Sequence, residues 1–119
     1  MNTKTYNGIL IPKTIKPTRI ISAFQNEMDW KKVNEYTDIM TAEMLSHDFP
    51  DIQGFPYIIQ EEDVGGMFLT EEIEEEHIGQ MAWKVTDGHH RSFAAIAANL
   101  PYIGVELDYS TITNEKDLK

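Results

Sequence analysis

Residues Asp87-Gly88-His89-His90-Arg91-Ser92 set a carboxylate, a glycine, two imidazoles, a guanidinium and a hydroxyl in consecutive positions. The strand-like run Met81–Thr86 leads into them and an alanine-rich apolar run follows, so the block falls where a strand turns into a helix. A helix N-terminus offers unpaired N–H groups and the positive end of the helix dipole, and an anion docks there naturally. Gly88 permits a positive φ or a close approach to a ligand. Arg91 can hold a phosphate through its planar fork. His89 and His90 point in different directions, so one of them can hydrogen-bond a phosphoryl oxygen or steady developing charge. Asp87 would repel a phosphate. Its place is explained if it holds Mg²⁺, orients a histidine, or accepts a proton from a hydroxyl nucleophile. Taken singly the residues carry less: Asp87-Gly88 is an ordinary turn and N-cap signal, and adjacent histidines rarely aim at one metal ion. As one block at one junction they point to an anion or phosphate site.

Several elements must position this block. Ile9–Pro12 and Thr18–Ile21 read as short extended pieces set off by Pro12 and Pro17. Asn26 is a plausible N-cap with acids in the turn that follows. Trp30, Val33, Tyr36 or Thr37, Met40 and Met44 then recur on one helical face that ends near His47. Asp51–Gly54 reads as a turn, Phe55–Ile59 as a buried strand and Gly65-Gly66 as a flexible point. After the block, Phe93, Ile96, Ala97 and Leu100 form a helical stripe that must stop before Pro101. Tyr102–Leu107 is a last strand and residues 111–119 a polar tail. No internal repeat stands out. The order predicts one α+β domain over residues 1–119, a mixed sheet with two main helices packed on it.

The chain has 119 residues, 41% of them apolar, and a formal net charge of −10. Eight of its twenty acids fall in residues 61–80, which hold no Lys or Arg. The remaining twelve acids face ten bases, so the acidity belongs mainly to one segment, expected as a solvated loop or helix. That balance argues against gripping DNA over a broad surface. There is no cysteine, which removes disulfides, thiolate metal sites and cysteine nucleophiles together. Met1–Lys13 carries no signal-peptide pattern. No apolar run approaches the roughly 20 residues needed to span a bilayer. The expectation is a cytoplasmic protein.

The run "KVTDGHHRSFAAIAANLPYIGVEL" resembles the signature of the ParB/sulfiredoxin superfamily, in which a strand enters a glycine-containing turn, then a small-residue helix and a final strand. "DIQGFPYIIQ" is similar to that family's glycine-then-proline strand entry. The resemblance spans about residues 15–107. The sulfiredoxin activity itself needs a cysteine in this turn and is excluded. The partition proteins carry a Gly-Glu-Arg-Arg block and continue into DNA-binding helices, which are not expected within these 119 residues. The Asp87–Arg91 block looks closest to the free-serine-kinase branch. That resemblance implies Gly88, His89, His90 and Arg91 around the phosphates of a nucleotide (ATP, ADP or CTP) with Mg²⁺. Ser92 completes the expected cofactor-binding set. It further implies Asp87 near the metal or a substrate hydroxyl, and an early glutamate as base, for which Glu27 is the candidate; Asp87, His90 and Glu27 are thus the expected catalytic set. The acidic insert 61–80 replaces a short hairpin and could serve as a lid, a protein-partner surface or a mimic of nucleic-acid charge. The implied function is nucleotide binding with Mg²⁺-dependent phosphoryl transfer or NTP hydrolysis. The alternatives are a non-enzymatic interaction or regulatory module of phage or plasmid type, and a DNA nuclease or DNA-processing accessory.

Overall fold

Trp83 sits at the centre of the fold, wholly buried, and the chain is arranged around it. The computed structural model describes residues 5–22, 28–43 and 51–109. Strands β1 (Thr5–Tyr6) and β2 (Ile9–Leu10) form a ribbon. Then come β3 (Thr14–Ile15), β4 (Ile20–Ser22), α1 (Trp30–Glu43), β5 (Ile52–Ile58), β6 (Met81–Asp87), α2 (His89–Ala97) and β7 (Ile103–Leu107). The main sheet has the order β3-β7-β5-β6-β4. β4 runs parallel to β6 and β5 parallel to β7, while β5–β6 and β3–β7 are antiparallel. The architecture is α+β. Among the described residues no helix is long and apolar enough to cross a membrane.

Strand alternation splits β6 between two faces. Trp83 and Val85 join Ile20, Ile52, Ile103 and Val105 beneath the helices, against Val33 and Met40 of α1 and Ala94 and Ala95 of α2. Ala82 belongs to a second core on the opposite face, with Ile59, Phe68 and Ile73. Gly54 is fixed by its neighbours Lys84 and Trp83 on β6. A Cβ there would overlap the Lys84 carbonyl and stand 2.7 Å from Trp83 Nε1. This is why Asp51–Gly54 is not the turn its composition predicts: Ile52–Gly54 lie within β5, and the glycine makes room first for the Lys84 carbonyl and then for the indole.

β3 and β4 lie at opposite edges of the sheet yet are joined only by Lys16 and the 3₁₀ turn Pro17–Arg19. Five flat strands at ~4.8 Å spacing would hold those edges about 19 Å apart. The five residue steps from Ile15 to Ile20, three residues of them wound into a 3₁₀ turn, reach well under about 17 Å. The sheet therefore curls, and the turn crosses on the α2 side, where Pro17 is buried.

The helices depart from the expected phases. α1 is capped at Asp29, whose Oδ1 accepts the Lys32 N–H at 3.2 Å; Asn26, the expected cap, and Met44 lie outside the described residues. Val33 and Met40 are buried, but Trp30 is 57% exposed. In α2 the buried side is Ser92, Ala94 and Ala95, while Phe93 and Ile96 are half-buried and Ala97 is exposed. Small side chains let this helix lie close against both the sheet and α1, so hydrophobicity alone misplaces its inner face.

Residues 61–80 are neither a plain loop nor a helix. They build the same turn twice. Gln60 (φ −108°, ψ 168°) and Glu74 (φ −110°, ψ 168°) each precede a 3₁₀ turn. Val64 and Ile78 then return to extended backbone, and Gly65 (φ +91°) and Gly79 (φ +86°) close the two turns. Asp63 Oδ2 accepts the Gln60 N–H at 2.7 Å, and His77 Nδ1 accepts the Glu74 N–H at 2.9 Å. A carboxylate and an imidazole do the same job, so the repeat is hidden in the sequence. Gly65 and Gly66, expected as a flexible point, are tied into the segment: the Gly65 N–H donates to the Ile73 carbonyl, the Gly66 carbonyl accepts the Ile73 N–H, and the Gly66 N–H donates to the Asp63 carbonyl. Phe68 and Ile73 anchor the segment, with His77 edge-on to Phe68 at 5.1 Å.

Candidate functional site

β6 ends at Asp87, and Gly88 turns the chain into α2 with φ +103° and ψ 27°. A left-handed residue here lets the helix start directly off the strand. No side chain caps α2, and the first N–H groups of any helix have no acceptor within the helix itself. α1 begins beside it: the Asp29 N–H donates to His90 Nε2 at 3.0 Å, which fixes the remaining proton of a neutral ring on Nδ1. Two helix N-termini, sixty-one residues apart in sequence, thus meet at one rim. Trp30, the first residue of α1, packs edge-on to Phe93 at 5.5 Å there.

Arg91 lies across the rim. Its Nη2 is 3.3 Å from Asp87 Oδ2 and its Nη1 3.3 Å from the Asp51 carbonyl. The guanidinium side chain is 14% exposed and its carboxylate partner 71%. The ion pair is therefore open to water on the Asp87 side and is weak by the usual measure of surface pairs.

His89 and Ser92 point the other way. His89 is buried, with Nε2 2.9 Å from Ser22 Oγ on β4. Burial first, then repulsion from His90 whenever that ring is protonated, hold its imidazole below the ordinary histidine range, against a smaller opposite pull from Asp87. Ser92 is buried, and its hydroxyl donates to the Gly88 carbonyl at 2.8 Å. At the strand end, the Thr86 hydroxyl bonds the buried Asp108 carboxylate and lies 3.2 Å from the Gln53 carbonyl, tying β6 to the exit of β7.

The fold thus brings Asp87, Gly88, His90 and Arg91 to one rim and places His89 and Ser92 beneath it. Glu27 lies outside the described residues. Sequence reading missed Asp29, Ser22, Asp51 and Asp108. Asp29 alone had a local signal, an acid just before an apolar helical stripe; the others are joined to the site by strand pairing. Among the described residues no group of three or more His, Cys, Asp or Glu could hold a metal ion. Comparison with protein-family models, with curated proteins and with solved structures yields no match.

Proposed function

We propose that the chain is a nucleotide-binding domain of the ParB/sulfiredoxin kind, whose phosphate site is the rim where α1 and α2 begin. The observation that carries this reading is the uncapped start of α2 tied to the start of α1 through His90, with Arg91 alongside. The backbone N–H groups of His89, His90 and Arg91 would bind phosphate oxygens, with the helix dipoles adding to the attraction. Arg91 would exchange its long contact with Asp87 for a phosphate. His89 and Ser92 would act from beneath, holding the turn rather than touching the ligand. Trp30 offers an exposed aromatic face for the base.

A lone exposed carboxylate suits Mg²⁺ that arrives with a nucleotide, since that ion commonly takes one or two carboxylates and fills its shell with phosphate oxygens and water. Asp87 is that carboxylate; the bound ion would neutralise phosphate charge. In phosphoryl transfer or hydrolysis Asp87 would alternatively take the proton of the attacking hydroxyl. His90 would steady charge on the transferred group, with Glu27 as candidate base. This chemistry asks the protein mainly for positioning and electrostatics. The ordered acidic segment supports a second reading, in which the nucleotide state governs contact with a protein partner and no turnover occurs.

Calorimetric titration with ATP, ADP and CTP, each with Mg²⁺, tests the reading. Micromolar binding weakened at least tenfold by Arg91→Ala, with the variant's circular dichroism unchanged, supports it; about 1.5–3 kcal/mol is expected for one charge-assisted contact. Absence of binding by all three nucleotides removes it. Turnover lost in Asp87→Ala while binding persists separates an enzyme from a switch.

A further inference from the structure

The sheet face turned away from the helices is covered at both ends and open between them. The acidic segment seals one end, packing Phe68 and Ile73 against Ile59 and Ala82. The β1–β2 ribbon covers the other, with Tyr6 stacked on Phe55 at 5.2 Å. Between them Ile21, Lys84 and Phe55 stand side by side on β4, β6 and β5. A cavity of about 480 Å³ opens against the acidic segment, walled by Glu62, Asp63 and Met67. A second, of about 530 Å³, lies on the ribbon side and shares Phe55 and Lys84. Together they make a groove across the face.

The floor of this groove is aromatic and aliphatic, and its wall is acidic. Lys84 does not make it cationic. Its Nζ lies 4.0 Å over the Tyr57 ring, and against this one cation the cavity sets two acids, Glu62 and Asp63. Glu61, Glu62, Glu72, Glu74, Glu75 and Glu76 are exposed and make no ion pair among the described residues. Met67 is 54% exposed on the lip, an unbranched thioether able to adapt to varied apolar partners.

We infer that this groove docks a linear segment of a partner protein in which lysine or arginine alternates with apolar side chains. Long cationic side chains can lay their methylene stems along Ile21, Phe55 and Met67 and carry their heads to Glu62. The apolar residues between them fill the floor. The surrounding acids raise the encounter rate and repel polyanions. The inference does not rest on the nucleotide reading: Ser22, which bonds His89, and Thr86 line the acidic end of the groove, but Asp87, His90 and Arg91 line neither cavity.

The test is fluorescence anisotropy with a labelled six-residue peptide of alternating lysine and leucine. An alternating lysine–serine peptide of equal charge is the comparison. The lysine–leucine peptide is expected to bind, and its Kd to rise at least tenfold in Glu62→Lys and in Met67→Asp. Glu75→Lys, off the groove, should change it less than threefold, and the lysine–serine peptide should bind at least tenfold more weakly. Three results overturn the proposal: no binding of the lysine–leucine peptide, equal binding of the two peptides, or equal loss in Glu75→Lys and Glu62→Lys, which means diffuse attraction. Self-association in sedimentation that Met67→Asp abolishes would also overturn it, since the occupant would then be a second copy. Both key substitutions fall on exposed side chains, and circular dichroism checks that each variant is folded.

Discussion

Gly88→Ala is the sharpest test of how the rim is built. An alanine at φ +103° adopts a conformation that costs an L-residue about 1–2 kcal/mol. Its Cβ would also stand 2.6 Å from Ile52 Cγ2 and 3.0 Å from Arg91 Nη2. The arginine head can swing away. Ile52 cannot, because it is wholly buried in the main core and branched at Cβ. Forcing a methyl group into a packed core adds about 1–3 kcal/mol. The expected loss is about 2–5 kcal/mol, a large part of the stability of a domain this size. Gly79→Ala is the control: its φ is +86° and nothing lies within 4 Å of its Cβ, so it should carry the backbone cost alone. Urea unfolding of both variants measures the difference, and a double-mutant cycle with Ile52→Ala assigns it. The reasoning fails if Gly88→Ala loses no more than Gly79→Ala, or if the cycle shows no coupling between positions 88 and 52.

Three further outcomes follow from the packing. The Tyr57 phenol, pushed up to about 12 first by its hydrogen bond to Asp63 and then by burial, should be a late-ionising tyrosine in an ultraviolet titration, and Asp63→Asn should bring it back toward 10. His89 is held below its ordinary range, so on acidification the unfolded chain takes up the proton first. Its contribution to stability should be complete above about 6.5 and fall as pH drops below that value, and His89→Gln should flatten this part of the unfolding free energy measured against pH. Phe68→Ala should cost about 3–5 kcal/mol and be read in hydrogen exchange as lost protection of the Gly65, Phe68 and Ile73 amides, whose bonds the aromatic ring shelters.

The elements legible in the sequence were those with strong local signals. β6, β7 and the start of α2 follow from apolar runs, Gly88 and Pro101, and the mixed sheet with two helices is what their order implies. What stayed hidden was set by contacts between distant residues. Gly54 reads as a turn residue until the Lys84 carbonyl and Trp83 are laid over it. Ser92 and His89 read as ligand groups, yet one bonds its own helix and the other a serine on β4. The inner face of α2 is chosen by size, with alanines inside and Phe93 half-outside, a distinction that hydropathy does not draw. His77 and Asp63 look unrelated until both are seen to accept a backbone N–H at the same place in twin turns.

The curled sheet bears on how the chain is made. Both edge strands come from residues 14–22, but β4 waits for β6 and β3 for β7. On a ribosome the first of these segments must stay unpaired while about ninety more residues are added, some 5–20 seconds at ordinary rates. Over that interval Ile11 and Ile15 stand open to pairing with other nascent chains, and Ile20 and Ile21 do so until β6 follows about sixty residues later. Pro12, Lys13, Lys16, Pro17 and Arg19 lie between them, and prolines and cations are the residues that discourage such pairing. The composition of this short strap is thus suited to the time before the sheet exists, as well as to the finished structure.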